Sequence, residues 1–258
     1  MPYARKKLKE YLEQYSFALI CLSGGLDSCL LLKEVSAIIG EKVQAITFKS
    51  PLQTQRCIND AKICADHLGI KHLIADYEPL TEEGIKTNNK NRCLLCKTKM
   101  FSIAYGLISH RQKESVILDG THLGDDPESR PGMRANKAFG IRSPWKELGL
   151  GKEELRSLAI KRGLSVWERP SDSCLATRFP LGYRLTVEML GQQESAEEAL
   201  RDLGLKDFRL RPADSPPRLL LSNEDHRRAL EMGFDKIRDA IEEKTGWHLA
   251  DFCLDIKS

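Results

Sequence analysis

Long apolar runs are missing from this chain of 258 residues. None approaches the ~20 consecutive apolar residues that a helix needs to cross a bilayer, so the sequence offers no membrane span. The opening MPYARKKLKEYLEQYS is charged and amphipathic, with no apolar centre, which excludes a secretory signal; the expectation is a cytoplasmic protein. A large charge of one sign is missing too. The formal net charge of +3 permits anionic small molecules but does not announce nucleic-acid binding, which concentrates basic residues in patches. Neither GxxxxGK followed by Ser or Thr, nor GxGxxG, occurs, which removes two common Gly-rich phosphate signatures. There are no internal repeats and no low-complexity tract.

Cysteine, by contrast, is plentiful, at positions 21, 29, 57, 64, 93, 96, 174 and 253. In a chain read as cytoplasmic these are not a disulfide framework. Cys21, Cys29, Cys57, Cys64 and Cys253 fall inside apolar or helical patterns and are expected to be core or partly buried small residues. The other three do not fit that description. Cys174 sits in RPSDSCLATRFPLG, among polar residues and prolines, between Arg169 and Arg178, surroundings that favour a thiolate and would equally suit an anionic cluster or a phosphate. Cys93 and Cys96 form a single CxxC in NRCLLCK, a pattern shared by zinc, thioredoxin-like and iron–sulfur sites. A structural zinc site takes four protein ligands, which these three cysteines with a His or Asp would supply. Three thiolates and an open position suit a [4Fe–4S] cluster with one free iron, since fully ligated clusters take four thiolates.

Periodicity predicts an α/β fold. A first helix covers Ala4 to Gln14, followed by the apolar strand run Phe17 to Leu22 and a helix from Ser28 to Ile39. Strands at Lys42 to Phe48, His72 to Ala75 and Val116 to Asp119 alternate with helices at Thr54 to Leu68, Leu95 to Ser109 and Lys152 to Lys161. This alternation implies a mostly parallel sheet with helices on both faces, binding its ligand beyond the carboxyl ends of the strands. After about Gly182 the pattern changes to a helix at Thr186 to Leu203, short strands at Asp207 to Arg211 and Arg218 to Ser222, a helix pair at Glu224 to Lys244 and a closing strand at His248 to Ile256. The expected organisation is a first domain over 1–182 and a small α+β domain over 183–258.

Between the first strand and second helix lies Ser23-Gly24-Gly25-Leu26-Asp27-Ser28. Two glycines let backbone N–H groups turn toward an anion, a helix N-terminus adds partial positive charge, and two hydroxyls can donate. A Gly-rich turn with a serine capping a helix is the simpler reading. Arg209 and Arg211, two apart on a predicted strand, would project to one face and could hold a phosphate as guanidinium forks, or be a solvated strand face. Arg130 and Arg142 follow the strand ending at Asp119 and are further candidate phosphate contacts. His122 is the histidine beside the proposed site.

SGGLDS in this setting resembles the signature of the PP-loop ATP pyrophosphatases. The resemblance implies that Ser23, Gly24, Gly25, Asp27 and Ser28 grip the pyrophosphate of ATP while a substrate oxygen attacks the α-phosphorus, with Asp27 near the phosphates or their Mg²⁺. More specifically, DGTHLGDDPESRPG, GIRSPWKELGLGKEELRSLA, RPSDSCLATRFPLG and FRLR at Phe208 to Arg211 resemble the LarE family. These are ATP-dependent sulfur transferases that build the precursor of the nickel-pincer nucleotide cofactor, and the likeness covers most of the chain. One type of the family sacrifices the sulfur of a cysteine at the position of Cys174; the other adds the CxxC and holds a [4Fe–4S] cluster on three cysteines. This sequence has all three, so the resemblance implies that Cys93, Cys96 and Cys174 are cluster ligands and that an open iron carries the sulfide.

It further implies a pyridinium dicarboxylate mononucleotide as substrate, adenylated with release of pyrophosphate and then AMP. It also puts Arg209 and Arg211 on the substrate phosphate and Glu197 near the active site as a metal ligand, while position after the strand ending at Asp119 would set Asp119, Gly120, Thr121 and Arg142 near ATP and Arg130 on the substrate phosphate. Homo-oligomers are the family expectation, and the sulfide donor is not indicated. Between the cysteines the family carries aromatic residues where this chain has Leu94 and Leu95, which bears on packing over the substrate ring. A cluster-dependent tRNA thiolase, an ammonia-using synthetase and a zinc-stabilised nucleotide-binding module are the competing readings. Weak charge and the lack of a further CxxC weigh against the first.

Overall fold

In a computed structural model, which describes residues 2–109, 114–125, 131–164, 172–249 and 252–257, the apolar run after residue 16 becomes β1 (Phe17–Cys21). The chain divides into two units, Met1–Pro79 with Lys90–Asp172, and Leu80–Asn89 with Ser173–Ser258.

The first unit runs α1 (Pro2–Leu12), β1, α2 (Leu26–Ile39), β2 (Val43–Lys49), α3 (Gln55–His67) and β3 (His72–Asp76). The chain then leaves it for the short α4 (Glu83–Lys86) and returns through α5 (Arg92–Ile108), β4 (Ser115–Leu118), α6 (Met133–Ala138), α7 (Pro144–Glu147) and α8 (Lys152–Lys161). Its four strands are ordered β3-β2-β1-β4, all parallel. β1 is unbroken apolar sequence because both faces of a parallel sheet are covered. Ala18 and Ile20 point into one core with Leu30, Leu31, Ala61 and Leu155, from α2, α3 and α8. Phe17 and Leu19 point into the other with Phe101, Ala104 and Ala135, from α5 and α6. The expectation of a parallel sheet with helices on both faces therefore holds. β3, at the edge, is only partly buried.

The strand order fixes where a ligand would bind. From β1 the chain steps to β2 and β3 on one side, and β4 lies on the other. The direction reverses between β1 and β4, and the crevice at such a point, beyond the carboxyl ends of the strands, is where open α/β sheets bind ligands. The residues that follow β1 and β4 are Ser23–Ser28 and Asp119–Thr121.

The second unit carries α9 (Val187–Asp202), β5 (Phe208–Arg211), β6 (Arg218–Leu221), α10 (Asn223–Met232), α11 (Phe234–Thr245) and β7 (Cys253–Ile256). β6 is central, antiparallel to β5 and parallel to β7. The three strands share a core with α9, α10 and α11 through Leu200, Phe208, Leu210, Leu219, Ala229, Ile237 and Ile241. Gly233, at φ 87, separates α10 from α11, a conformation that excludes a continuous helix. The segment carrying α4 joins this unit through buried Asn88, whose amide Nδ2 faces the carbonyls of Ala176, Phe179 and Pro180 at 3.2, 3.0 and 2.8 Å.

Two expectations need correction. Cys253 is exposed rather than core, because β7 is a partly open edge. The closing strand is also shorter than the run from His248, starting at Cys253.

Candidate functional site

The loop after β1 is shaped by one close approach. Gly24 has φ +80, and a Cβ there would stand 2.3 Å from the Cys57 carbonyl oxygen on α3. Only glycine tolerates both conditions. Gly25 is the N-cap of α2 and provides no side-chain cap, so the simpler alternative of a serine-capped helix does not hold. The hydroxyls organise the loop from within instead. Ser28 Oγ donates to the Gly25 carbonyl at 3.1 Å and accepts from the Ser23 amide at 3.1 Å, and the two seryl oxygens are 3.0 Å apart. The helix N-terminus keeps its partial positive charge for an anion. Trp145 Nε1, from α7, donates to the Asp27 carbonyl at 2.9 Å and steadies the first turn.

The loop after β4 meets this one directly. A Cβ on Gly120 would lie 2.9 Å from the Ser28 amide nitrogen, so glycine is needed for the two loops to close up. Asp119 is buried and receives donors from four places. Thr121 bonds it with its amide at 3.2 Å and its hydroxyl at 2.8 Å. Asn136 Nδ2 lies at 2.6 Å, Ser143 Oγ at 2.6 Å and Lys97 Nζ at 3.5 Å. A carboxylate this well donated to holds the loop and the Lys97 ammonium in place. His122 accepts the Gly124 amide at Nδ1, 3.1 Å, leaving Nε2 at 3.8 Å from Asp125 and 4.0 Å from Asp27. Cys21, ending β1, is a spectator thiol: burial, then the Asp119 charge, pushes it up to about 12.

Cys93 and Cys96 lie one turn apart at the start of α5 and are both half-buried. Arg92 donates to Cys93 Sγ at 3.4 Å, and the Tyr77 hydroxyl is 3.1 Å from Cys96 Sγ. Burial, and then the Cys96 sulfur, drive the Tyr77 phenol well above its ordinary range, so it stays protonated. Leu94 packs into the core beside α5 and is structural. Gly132 lets α6 approach, since a Cβ there would be 3.0 Å from Lys97 Cδ and 3.2 Å from the Cys93 carbonyl. Two thiols one turn apart, with a cation and a phenol beside them, are a donor set suited to soft metals and iron–sulfur groups. Among the described residues, no three His, Cys, Asp or Glu side chains gather closely enough to hold a metal ion.

Cys174, half-buried, precedes the 3₁₀ turn Leu175–Arg178 in the second unit. Arg178 was expected to offer its charge to an anion. It is instead buried and forks onto Glu197, Nε to Oε1 at 2.6 Å and Nη2 to Oε2 at 3.0 Å. Its remaining nitrogen donates to the Ser173 carbonyl at 3.0 Å and hydroxyl at 2.6 Å. Thr177 in turn bonds the Cys174 carbonyl with both amide and hydroxyl, at 2.9 and 2.8 Å. Glu197 also accepts Gln193 at 2.9 Å and Arg201 at 3.2 Å. Burial alone would raise its carboxyl, but Arg178, then Arg201 and Gln193, hold it below the usual carboxylate range. Both its oxygens face protein donors, so here it anchors Arg178 rather than offering itself to a metal.

Arg209 and Arg211 alternate with buried Phe208 and Leu210 and so share the outer face of β5. Arg142 is engaged elsewhere: Nε donates to both Glu147 oxygens at 3.0 and 3.1 Å, and its guanidinium lies 5.4 Å from the Tyr11 ring. Arg130 and Arg169 lie outside the described residues. Lys97, Asn136, Ser143 and Tyr77 were not singled out from the sequence. Lys97 adjoins the CxxC and could have been. The others gather from segments far apart in sequence and leave no local signal.

A Gly-rich loop and a helix N-terminus at the crevice of a parallel sheet, beside a CxxC helix, define an α/β protein. No family model matches the chain. A pyridinium-3,5-bisthiocarboxylic acid mononucleotide synthase of Lactiplantibacillus plantarum is 32% identical to it over 193 residues, 74% of this chain and 70% of the relative. Uncharacterised proteins of Synechocystis sp. and Methanocaldococcus jannaschii are 33% and 32% identical, over 85% and 71% of this chain and 81% and 69% of theirs. The chain belongs to the LarE family. Among the described residues no helix is long and apolar enough to cross a membrane.

Proposed function

We propose that this chain is an ATP-dependent sulfur transferase acting on a pyridinium-3,5-dicarboxylate mononucleotide. The observation that carries the reading is its similarity, along most of its length, to a synthase named for the bisthiocarboxylated product. A carboxylate oxygen is a poor leaving group. Attack of that oxygen on the α-phosphorus of ATP expels pyrophosphate and leaves an acyl-adenylate. Sulfide then adds to the activated carbon and expels AMP, leaving a thiocarboxylate.

Residues of the first unit support the activation step. The α2 N-terminus, in a loop that Ser23 and Ser28 hold in shape from within, suits a pyrophosphate. Asp27 is an oxygen ligand of the kind Mg²⁺ takes. Lys97, held by Asp119, supplies a cation that can follow charge developing on the phosphates. Arg209 and Arg211 provide a two-pronged anion site of the kind that fits the substrate phosphate. A [4Fe–4S] cluster on Cys93, Cys96 and Cys174 would supply an open iron to carry sulfide. Arg178 and Thr177 fix the backbone on both sides of Cys174, which orients that thiol. This fixed geometry suits a sacrificial donor equally, and mass spectrometry separates the two roles.

Anaerobically purified protein is expected to hold about four irons per chain and to release pyrophosphate when given ATP and the dicarboxylate. Cys174→Ala is expected to lose the iron. Loss of H₂S from Cys174 after turnover would replace the cluster with the sacrificial route. Absence of pyrophosphate release would sink adenylation altogether.

A further inference from the structure

We propose that Tyr77 is a positioning residue for the sulfur of Cys96, donating its phenolic O–H to the thiolate whenever Cys96 serves as a ligand. The inference rests on the three-cysteine reading above and goes further, assigning a role to a residue outside the three cysteines.

The geometry leaves the phenol little freedom. Tyr77 follows β3, is buried, and its amide donates to the Lys49 carbonyl at 3.0 Å. Its ring meets Phe48 edge-on, with centroids 6.2 Å apart and planes at 82°. That backing directs the hydroxyl at Cys96 Sγ, 3.1 Å away. Ser50, after β2, donates its own hydroxyl to Gln53 Oε1 at 2.5 Å. As a thiol, Cys96 can itself donate, and Met100 Sδ lies 3.9 Å from it. A ligating thiolate has lost its proton and can only accept. The phenol is then the donor. Hydrogen bonds to ligating sulfurs orient them and set the reduction potential of the group they hold. Cys93 receives its neighbouring donor from a cation, Arg92, at 3.4 Å, so the two thiolates of one CxxC have unlike surroundings.

Tyr77→Phe removes only the hydroxyl and keeps the ring against Phe48. In the full chain, reconstituted anaerobically, it is expected to bind iron at the wild-type level but with a more negative midpoint potential, since a donor to sulfur favours the more anionic reduced state. In metal-free protein, peptide mapping after iodoacetamide is expected to show Cys96 alkylated about threefold more slowly and Cys93 unchanged. A tenfold drop in thiolate is partly offset because the thiolate that remains is the stronger nucleophile. An unchanged potential with unchanged Cys96 alkylation would overturn the proposal while leaving the cluster reading intact. If wild-type protein binds no iron, the cluster reading falls, and Tyr77 loses the role proposed here. The alkylation arm then decides only whether the phenol–thiolate bond exists.

Discussion

Replacing Glu197 by alanine would strand the Arg178 guanidinium in the interior of the second unit. Both side chains are nearly inaccessible, at 2% and 1% exposure, so water cannot substitute for the lost carboxylate. Breaking a buried pair from one side costs about 3–5 kcal/mol, a large share of the ~5–15 kcal/mol that holds a typical domain folded. With a urea m-value of about 1.5 kcal/mol per M, a loss of ~4 kcal/mol lowers the unfolding midpoint by about 2.7 M. Equilibrium urea unfolding, followed by the fluorescence of Trp247 in that unit, is the assay. The paired substitution of Arg178 by Met and Glu197 by Leu should recover most of the loss, because it removes the stranded charge. A midpoint shift under ~0.5 M in Glu197→Ala, or a double variant no better than the single, would refute the reasoning.

The same pair gives a pH signature. The folded Glu197 carboxyl is held below the usual carboxylate range. Its contribution to stability is therefore complete above the unfolded value of about 4.3 and is lost as pH falls through the folded value. Wild-type protein should lose stability in that acid window, and Glu197→Gln, less stable at neutral pH, should show a flatter profile there.

Gly24→Ala places a methyl against the Cys57 carbonyl at a positive φ; calorimetry with ATP should show at least a tenfold loss of affinity, with the second unit's unfolding unchanged. Asp119→Ala removes the acceptor shared by Thr121, Asn136, Ser143 and Lys97 and should lower the stability of the first unit by about 2–4 kcal/mol, read by denaturant unfolding. Arg209→Ala and Arg211→Ala should each weaken binding of the mononucleotide about tenfold or more, with wild-type ATP binding, since guanidinium–phosphate bonds are charge-assisted. Equal binding in the double variant would return the pair to an ordinary solvated strand face.

The alternation of apolar strand runs with amphipathic helices determined the parallel sheet by itself, because covering both faces of such a sheet demands that pattern. SGGLDS likewise marked a tight loop after β1, since the positive φ of Gly24 and its approach to α3 leave no room for a side chain. The CxxC stood out by its spacing and Cys174 by its polar and proline-rich surroundings, although Leu94, Leu175 and Ala176 beside them do reach the core. Burial and partnership of charges were beyond local reading. Arg178 and Glu197 lie nineteen positions apart, with nothing in either stretch to pair them, and only packing of α9 turned two apparently free charges into a buried clamp. Arg142 looked available for phosphate until folding set Glu147 beside it. The gathering of Lys97, Asn136 and Ser143 around Asp119, and of Tyr77 onto Cys96, joins groups carried by separate elements. Such contacts arise when the sheet and its helices close into layers, and that is a property of the tertiary structure alone.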